Sequence, residues 1–218
     1  MNITIFIKKG RKDGSTPQER VEITLKYLRQ YNSQRYLAHE YNIAKSCISP
    51  IVKWTTKVLV ANLNFSLPNK VENINDTSED RIIDATESKI DRPQRKQEDW
   101  YSGKKKQHTI KTQIEIGSET LLIYSIRFAK GSTHDYKLFK DSNVDYNKEN
   151  TIFVDKGYMG INNIHSNSII PIRASKKHKL TDDEKWYNNE ISKVRIAIEH
   201  VNAFIKKFKI TSTGYRNR

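Results

Sequence analysis

The chain has 218 residues, and its 39 Lys and Arg against 25 Asp and Glu give a formal net charge of +14. Hydrophobic residues make up 36% of it, too many for a disordered chain, and no stretch approaches the ~20 apolar residues that a membrane span needs. The single cysteine, Cys47, excludes an internal disulfide framework and fits a reducing compartment. We therefore predict a basic cytoplasmic protein with no membrane partner, whose charge suits phosphate groups or simply forms a solvated Lys-rich surface.

Residues 17–60 have the apolar spacing of helices. Val21, Leu25 and Leu28 recur at helical intervals. Pro17 stands where the first turn of a helix accepts proline. This pattern predicts a small all-α region near the start of the chain.

Two further helices are predicted across a tight turn. Ser33 can cap a helix over 34–41, and Asn42 tolerates the left-handed backbone of a turn. A third helix then begins near Lys45. This is the outline of a helix-turn-helix, whose second helix enters the DNA major groove, although any small helical bundle produces the same outline. Lys45 and Lys53 are the candidate DNA contacts on the third helix.

Pro50 leaves two interpretations of this third helix open. If the helix runs over 44–53, the proline lies in its interior, where it removes a backbone donor at a cost of ~3 kcal/mol. If Ser49 is instead an N-cap, Pro50 occupies a first helical position, which accepts proline.

The pattern changes after residue 60. Residues 61–80 are polar and lack periodicity, which predicts a linker. Stretches rich in β-branched and aromatic residues then predict strands at 81–86, 108–116, 120–128 and 151–155, with a hairpin turn at 117–119 and helical patterns at 182–187 and 191–208. The sequence therefore predicts a mixed α/β domain over 81–218.

Three acidic residues stand out in these elements. Asp84 and Asp155 each end a predicted apolar strand, a common place for active-site residues in α/β sheets. Glu199 lies among apolar residues of a predicted helix. These carboxylates could hold Mg²⁺ for phosphoryl displacement, but an aspartate at a strand end also commonly caps the next turn.

Five motifs occur in order along the chain: DATESKIDRP, WYSGKKKQHTIKTQ, GSTHD, VDKGYMG and ISKVRIAIEH. Together they resemble the DDE transposases of bacterial insertion sequences, in the group called insertion sequence five, from about Gly10 to Arg218. The resemblance implies an α/β fold with a ribonuclease-H-like catalytic core over 81–218. A small all-α helix-turn-helix domain over 1–60 would precede it.

The resemblance also implies an activity. Carried over by motif, the catalytic triad is Asp84, Asp155 and Glu199, which would hold a divalent metal, Mg²⁺ or Mn²⁺. The expected protein is a nucleoid-associated DNA transposase that binds terminal inverted repeats, cleaves strands and joins them to target DNA, working as a homo-oligomer on DNA. The alternative is a catalytically inactive, DNA-binding remnant.

The family often shows Tyr-x2-Arg-x3-Glu-x6-Lys around the glutamate. Arg195, Glu199 and Lys206 keep this spacing, while Ser192 takes the tyrosine position. The two cations are candidate contacts to DNA phosphate. The alternative for Arg195 is a surface ion pair with Glu199, worth under ~1 kcal/mol.

Two further groups admit two interpretations each. Lys104, Lys105 and Lys106 suit a clamp on the DNA backbone or a solvated strand edge. His134 and Asp135 are expected either to contact and position the triad residues or simply to start a helix.

Members of the family commonly carry more chain before the helix-turn-helix and a further apolar helix after the segment matching TSTGYRNR. This sequence stops at Arg218. It is therefore expected to be a shortened copy.

Overall fold

The computed structural model describes residues 14–62, 79–142, 144, 146–176 and 178–214. The chain forms two compact units. The first comprises residues 1–66 with 206–213, and the second comprises 67–205 with 214–218. Most of the predicted linker at 61–80 lies outside the described residues.

The helices and strands are as follows. The helices are α1 (Pro17–Gln30), α2 (Gln34–Glu40), α3 (Lys45–Asn62), α4 (Gln97–Trp100), α5 (Asp135–Asp141), α6 (Asp182–Lys206) and α7 (Lys209–Ser212). The strands are β1 (Arg81–Lys89), β2 (Tyr101–Ser102), β3 (Gln107–Gly117), β4 (Ile123–Lys130), β5 (Ile152–Phe153) and β6 (Ser168–Ile169). Within the described ranges, none of these helices combines the length and the apolar character needed to cross a bilayer.

Local sequence explains where the first helices begin and turn. Thr16 caps α1 in a reciprocal capping box with Glu19, and Pro17 follows at the first helical position. The Ser33 hydroxyl accepts a hydrogen bond from a backbone N–H of α2, as predicted. Asn42 adopts the expected left-handed conformation, with φ of 49°, in the turn before α3.

The core of the first unit joins distant parts of the chain. Ile23, Leu37 and Ile48, from the first three helices, are fully buried together. Ile210 of α7 packs against the same cluster. Residues 206–213 thus belong to this unit, which differs from the predicted assignment of all of 81–218 to one catalytic domain. An apolar residue after a long helix does not reveal from sequence which core it will join.

Helix α3 resolves the two interpretations of Pro50. It runs without interruption from Lys45 to Asn62, with the proline in its interior. The interpretation with Ser49 as an N-cap is therefore wrong. Apolar packing explains the outcome, because Ile48 and Ile51 on either side of the proline are both buried, and burial of the two side chains offsets the lost backbone bond.

Replacing Pro50 with Ala should stabilise the first unit by up to ~3 kcal/mol, because it restores a donor to the helix interior and removes a ring clash. Pro50 is exposed, so no packing is lost. Chemical denaturation followed by circular dichroism measures the change. The matched control is Pro17→Ala, at a first helical position, which should be nearly neutral. A destabilised Pro50→Ala variant would contradict this account.

The second unit contains a mixed sheet. Strand β3 pairs antiparallel with both β1 and β4, while β1 and β5, and then β5 and β6, pair in parallel. The short strand β2 pairs with the beginning of β3. The predicted mixed α/β character is confirmed. The predicted hairpin turn falls later than expected, at 118–122, where Leu121 takes a positive φ.

Strand β1 is covered on both faces, and the alternation of its side chains determines the face on which Asp84 lies. Ile82 packs in one cluster with Ile198 of α6, and Ile83 packs in another with Phe139 of α5. Because side chains alternate along a strand, Asp84 shares the face of Ile82, on the α6 side. Helix α6 is one continuous helix of 25 residues, where the sequence predicted two.

Candidate active site

Two of the predicted triad residues meet at one cation. Asp84 lies within β1, and Asp155 follows β5. The Arg195 guanidinium of α6 lies 3.7 Å from Asp84 Oδ1 through Nη2 and 3.6 Å from Asp155 Oδ1 through Nη1. The two carboxylates therefore converge on a single positive group. Arg195 pairs with these aspartates, so the alternative of a surface ion pair with Glu199 does not describe it.

Asp155 has a second contact. Its Oδ1 accepts a hydrogen bond from the Lys156 backbone N–H at 2.6 Å and caps the short 3₁₀ turn Lys156–Tyr158. The two interpretations of this aspartate are thus compatible, because capping fixes the carboxylate while its side chain stays 39% exposed.

Asn202 completes the polar cluster from the same helix as Arg195. Its Nδ2 donates to Asp84 Oδ2 at 3.1 Å. Asn202 is buried, and its Oδ1 has no hydrogen-bond partner among the described residues. A buried amide oxygen without a partner is costly unless it receives a ligand, a cation or a water molecule.

The electrostatics of the cluster favour a cation. Burial raises the pKa of Asp84 above the ordinary carboxyl value, because it disfavours the charged form. The Arg195 charge and the Ala85 backbone N–H lower this pKa, while the charges of Asp155 and Asp135 raise it further. Three negative groups thus act on one partly buried position, where added positive charge stabilises the ionised carboxylates.

Asp135 supports the site from α5. Its Oδ1 accepts a hydrogen bond from Lys111 Nζ at 2.6 Å, and a Cβ at Gly157 would meet its Oδ2 at 2.5 Å. Only glycine at that position lets the carboxylate approach so closely. His134 precedes α5 as its N-cap residue, although its side chain makes no capping hydrogen bond. Asp135 therefore both starts a helix and contributes to the field at Asp84.

Two of the three predicted carboxylate ligands are placed where they could hold a divalent metal, and the third is not placed beside them. Asp84 and Asp155 offer hard oxygen ligands that already share one cation, and Asn202 Oδ1 is an unpartnered buried oxygen. Glu199 is exposed on α6, four residues after Arg195. In the part of the chain that the structure describes, no group of three His, Cys, Asp or Glu side chains is placed to hold a metal. The full triad stays a prediction.

The predicted DNA-contacting lysines are all exposed. Lys104, Lys105 and Lys106 form the turn between β2 and β3. Lys45 begins α3 and Lys53 lies two residues after its buried Ile51, while Lys206 ends α6 within the first unit. Their exposure leaves them accessible to a nucleic acid, and their role stays a prediction.

Sequence reasoning missed Asn202 and Lys111. Asn202 is the polar member of a buried face of α6. Ile191, Ile198 and Asn202 follow one another along this face at intervals of seven and four residues. That spacing was visible in the sequence. Lys111 is buried between Glu87 and Asp135, and only the cross-strand pairing of residues 87 and 111 brings these charges together.

Comparison with known proteins identifies the family of this chain. A family model described as "DDE superfamily endonuclease" matches residues 83–218, a range that contains both aspartates and α6. The chain is also 36% identical over 217 residues to the probable transposase for insertion sequence element IS702 of Microchaete diplosiphon, covering 97% of this chain and 79% of that protein. The chain therefore belongs to the DDE-superfamily transposases of insertion sequences, which confirms the resemblance. No solved structure matches the chain significantly.

Proposed function

We propose that this protein is a DNA transposase that binds the ends of its element and catalyses metal-dependent strand cleavage and strand transfer. One observation carries the proposal, namely that Asp84 and Asp155 converge on one cation in a chain of the DDE family. The mixed sheet, antiparallel through β3 and β4 and parallel through β5 and β6, is compatible with a ribonuclease-H-like core.

Each residue of the site has a distinct part in this proposal. Asp84, Asp155 and Glu199 hold Mg²⁺ or Mn²⁺, and Asn202 orients the Asp84 carboxylate through its amide N–H. A bound divalent metal would activate the attacking oxygen and stabilise the charge that develops on the phosphate. Arg195 then faces the DNA phosphate, which its planar fork can bind in bidentate fashion. No protein nucleophile is required.

The first unit would recognise the ends of the element. Helices α2 and α3 flank the turn at Asn42, and α3 presents Lys45 and Lys53 on its exposed side. A helix of this kind, entering the major groove, reads sequence while lysines contact the backbone. Oligomers on DNA, with one chain at each end of the element, complete the proposed assembly.

Incubation of the full chain with DNA from the inverted repeats that flank its gene tests the proposal. Strand nicking is expected with Mg²⁺ or Mn²⁺ and none with EDTA. Binding, followed by fluorescence anisotropy, should weaken steeply with salt, because each neutralised phosphate adds ~0.9 to the log–log slope. Salt-dependent binding without nicking in either metal would favour the inactive remnant, and absence of both would overturn the proposal.

Asn202→Leu should reduce the affinity for Mn²⁺ about 10- to 100-fold, because the Asp84 carboxylate loses the group that orients it. The fold should be kept, since the change also removes a buried oxygen that has no partner. Titration calorimetry and thermal unfolding report the two quantities separately. Asn189→Leu, at an exposed asparagine of the same helix, is the control and should change neither. Unchanged Mn²⁺ affinity in Asn202→Leu would remove this residue from the site.

A further inference from the structure

Strand β4 forms one edge of the mixed sheet in the second unit. It pairs with β3 on one side, and no other strand among the described residues pairs with it. Just after the strand, the Gly131 backbone N–H donates to the Thr109 carbonyl of β3 at 3.0 Å. Hydrogen-bonded and non-bonded positions alternate in an antiparallel pair, so this register turns the backbone groups of Ile126 and Phe128 away from β3. These groups have no backbone partner among the described residues.

The centre of this open edge lacks the features that usually keep sheet edges from pairing. Such features include proline, β-bulges, very short strands and charged side chains that project across the edge. Strand β4 is eight residues long and contains no proline. Its bulge, opposite Glu115, lies near the beginning of the strand. Of its two cations, Lys130 ends the strand and pairs with Asp99 at 2.6 Å.

The other cation, Arg127, turns towards the interior of the unit. It lies opposite Gln113 of β3, whose side chain accepts a hydrogen bond from the buried Tyr158 hydroxyl at 3.3 Å. The Arg127 Nε atom is buried and has no hydrogen-bond partner among the described residues. Burial raises the pKa of Glu115, and the charges of Arg81 and Arg127 oppose this shift. Arg127 therefore acts on a buried carboxylate and leaves the centre of the edge uncharged.

Apolar side chains accompany the open backbone groups. Ile126 is half-buried and lies opposite Ile114, which packs with Ile198 of α6. Phe128 follows two residues later on the same face and is 67% exposed. An exposed aromatic ring beside an unpaired strand edge is a surface that another strand would cover.

We propose that two copies of this chain pair through β4, antiparallel and about a two-fold axis at Ile126, so that their sheets join into one. With this axis, the two copies of residue 126 exchange backbone hydrogen bonds, and each Phe128 ring lies diagonal to the partner's Ile126. Each Arg127 lies opposite a Ser125, so no like charges stand opposite each other.

The neighbouring positions are poorer places for the axis. An axis at Arg127 would set two arginines opposite each other. An axis at Phe128 would use only the end of the strand, where the Lys130 carbonyl already accepts a hydrogen bond from the Thr133 backbone N–H at 2.9 Å. The axis at Ile126 brings nearly the whole of β4 into the pairing.

This inference rests on the proposed function for its biological meaning, since one chain at each end of the element requires a surface that joins two chains. The pairing itself uses only backbone groups and side chains of β4 and needs no DNA. It can therefore be measured apart from cleavage.

Sedimentation velocity of the full chain without DNA measures the pairing. The wild-type protein should sediment as a dimer that dissociates on dilution. Phe128→Pro removes an outward N–H and places a ring across the edge, so it should weaken dimerisation about tenfold or more. The single chain should tolerate the change, because an edge strand accepts proline where its N–H faces solvent. Circular dichroism verifies the fold.

Phe128→Val is the matched control, because it shortens the same side chain but keeps the N–H and a strong strand preference. It should weaken dimerisation less than Phe128→Pro does. Equal loss in the two variants would show that the ring alone joins the copies and would overturn the inference. A wild-type chain that is monomeric, or a dimer that Phe128→Pro leaves unchanged, would contradict it as well.

Cysteine crosslinking tests the axis without relying on the proline variant. In a Cys47→Ala background, which removes the native thiol, Ile126→Cys and Phe128→Cys each introduce one cysteine. Across the axis, the two Cα atoms of residue 126 would lie ~5.5 Å apart, and those of residue 128, four positions out of line, ~14 Å apart. A short bis-maleimide should link the Ile126→Cys chains and not the Phe128→Cys chains.

The opposite crosslinking pattern, or no link at either position, would refute pairing about Ile126. Failure of the proposed function would appear separately, as absence of metal-dependent nicking by the wild-type chain.

Discussion

Asp155→Asn should reduce DNA cleavage about a thousandfold or more and leave DNA binding intact. The change removes one of the two carboxylates that converge on the Arg195 guanidinium and keeps the shape of the side chain. Its amide oxygen can still accept the hydrogen bond from Lys156 that caps the following turn. Binding should persist or rise slightly, since local negative charge falls while the exposed lysines are untouched.

Asp141→Asn provides the matched control, because it makes the same substitution at an exposed aspartate that ends α5. It should cleave like wild type. Nicking assays and anisotropy on the same DNA measure the two activities. Loss of DNA binding in Asp155→Asn, with the circular dichroism spectrum unchanged, would show that binding and cleavage are not separable in this protein.

Arg81→Met should destabilise the second unit by ~3–5 kcal/mol, the largest stability effect expected here. Arg81 is fully buried, with Nε 3.5 Å from Glu115 Oε1 and its guanidinium 3.6 Å from the Tyr124 ring centroid. Glu115 is equally buried, and its other oxygen accepts hydrogen bonds from Ser125 and Tyr146. The variant removes the Arg81 charge, which lowers the pKa of Glu115, from a site where burial raises that pKa, and leaves the Arg127 charge as a weaker influence.

Two further variants separate a lost ion pair from a general effect of methionine. Lys130→Met breaks an exposed pair with Asp99, at 2.6 Å, and should cost under ~1 kcal/mol. The double variant Arg81→Met with Glu115→Leu should recover much of the lost stability, because the fully buried Glu115 charge is then no longer unpaired, while Glu79, the other carboxylate beside Arg81, keeps hydrogen bonds from the backbone N–H groups of 119 and 120. Urea denaturation measures all three. A mild effect of Arg81→Met alone would mean that Glu115 folds protonated.

The elements of this fold were predictable where the pattern was local. The apolar alternation and the β-branched residues of β1 and β3 predicted those strands, and Ser33 and Asn42 took the conformations that their side chains favour. The interior position of Pro50 was not decided by sequence. Its cost had to be weighed against burial of Ile51, which only the packed helices reveal.

The candidate site was predictable in part for the same reason. Asp84 and Asp155 follow apolar strands, a pattern visible in the sequence, and both reach the Arg195 guanidinium. That Arg195 pairs with the aspartates depends on how α6 crosses the sheet, which helical spacing does not determine. The ion pairs of Lys111 could not be predicted from the sequence. They depend on the register between β1 and β3, which is set by long-range pairing.

The first unit is completed by residues that are distant in the sequence from its first three helices, and this affects how the protein folds during synthesis. The Arg29 side chain donates to the Lys207 carbonyl across 178 positions of sequence, and its guanidinium lies 5.6 Å from the Phe208 ring centroid. Helices α1 to α3 are translated before the second unit, yet the residues that complete their core, at 206–213, are translated after its sheet. Contacts of such separation form slowly, because chain entropy opposes their closure. A nascent chain would therefore hold an incomplete helical unit until residues 206–213 have been translated, and by then Asp84, Asp155 and Glu199 have been made as well.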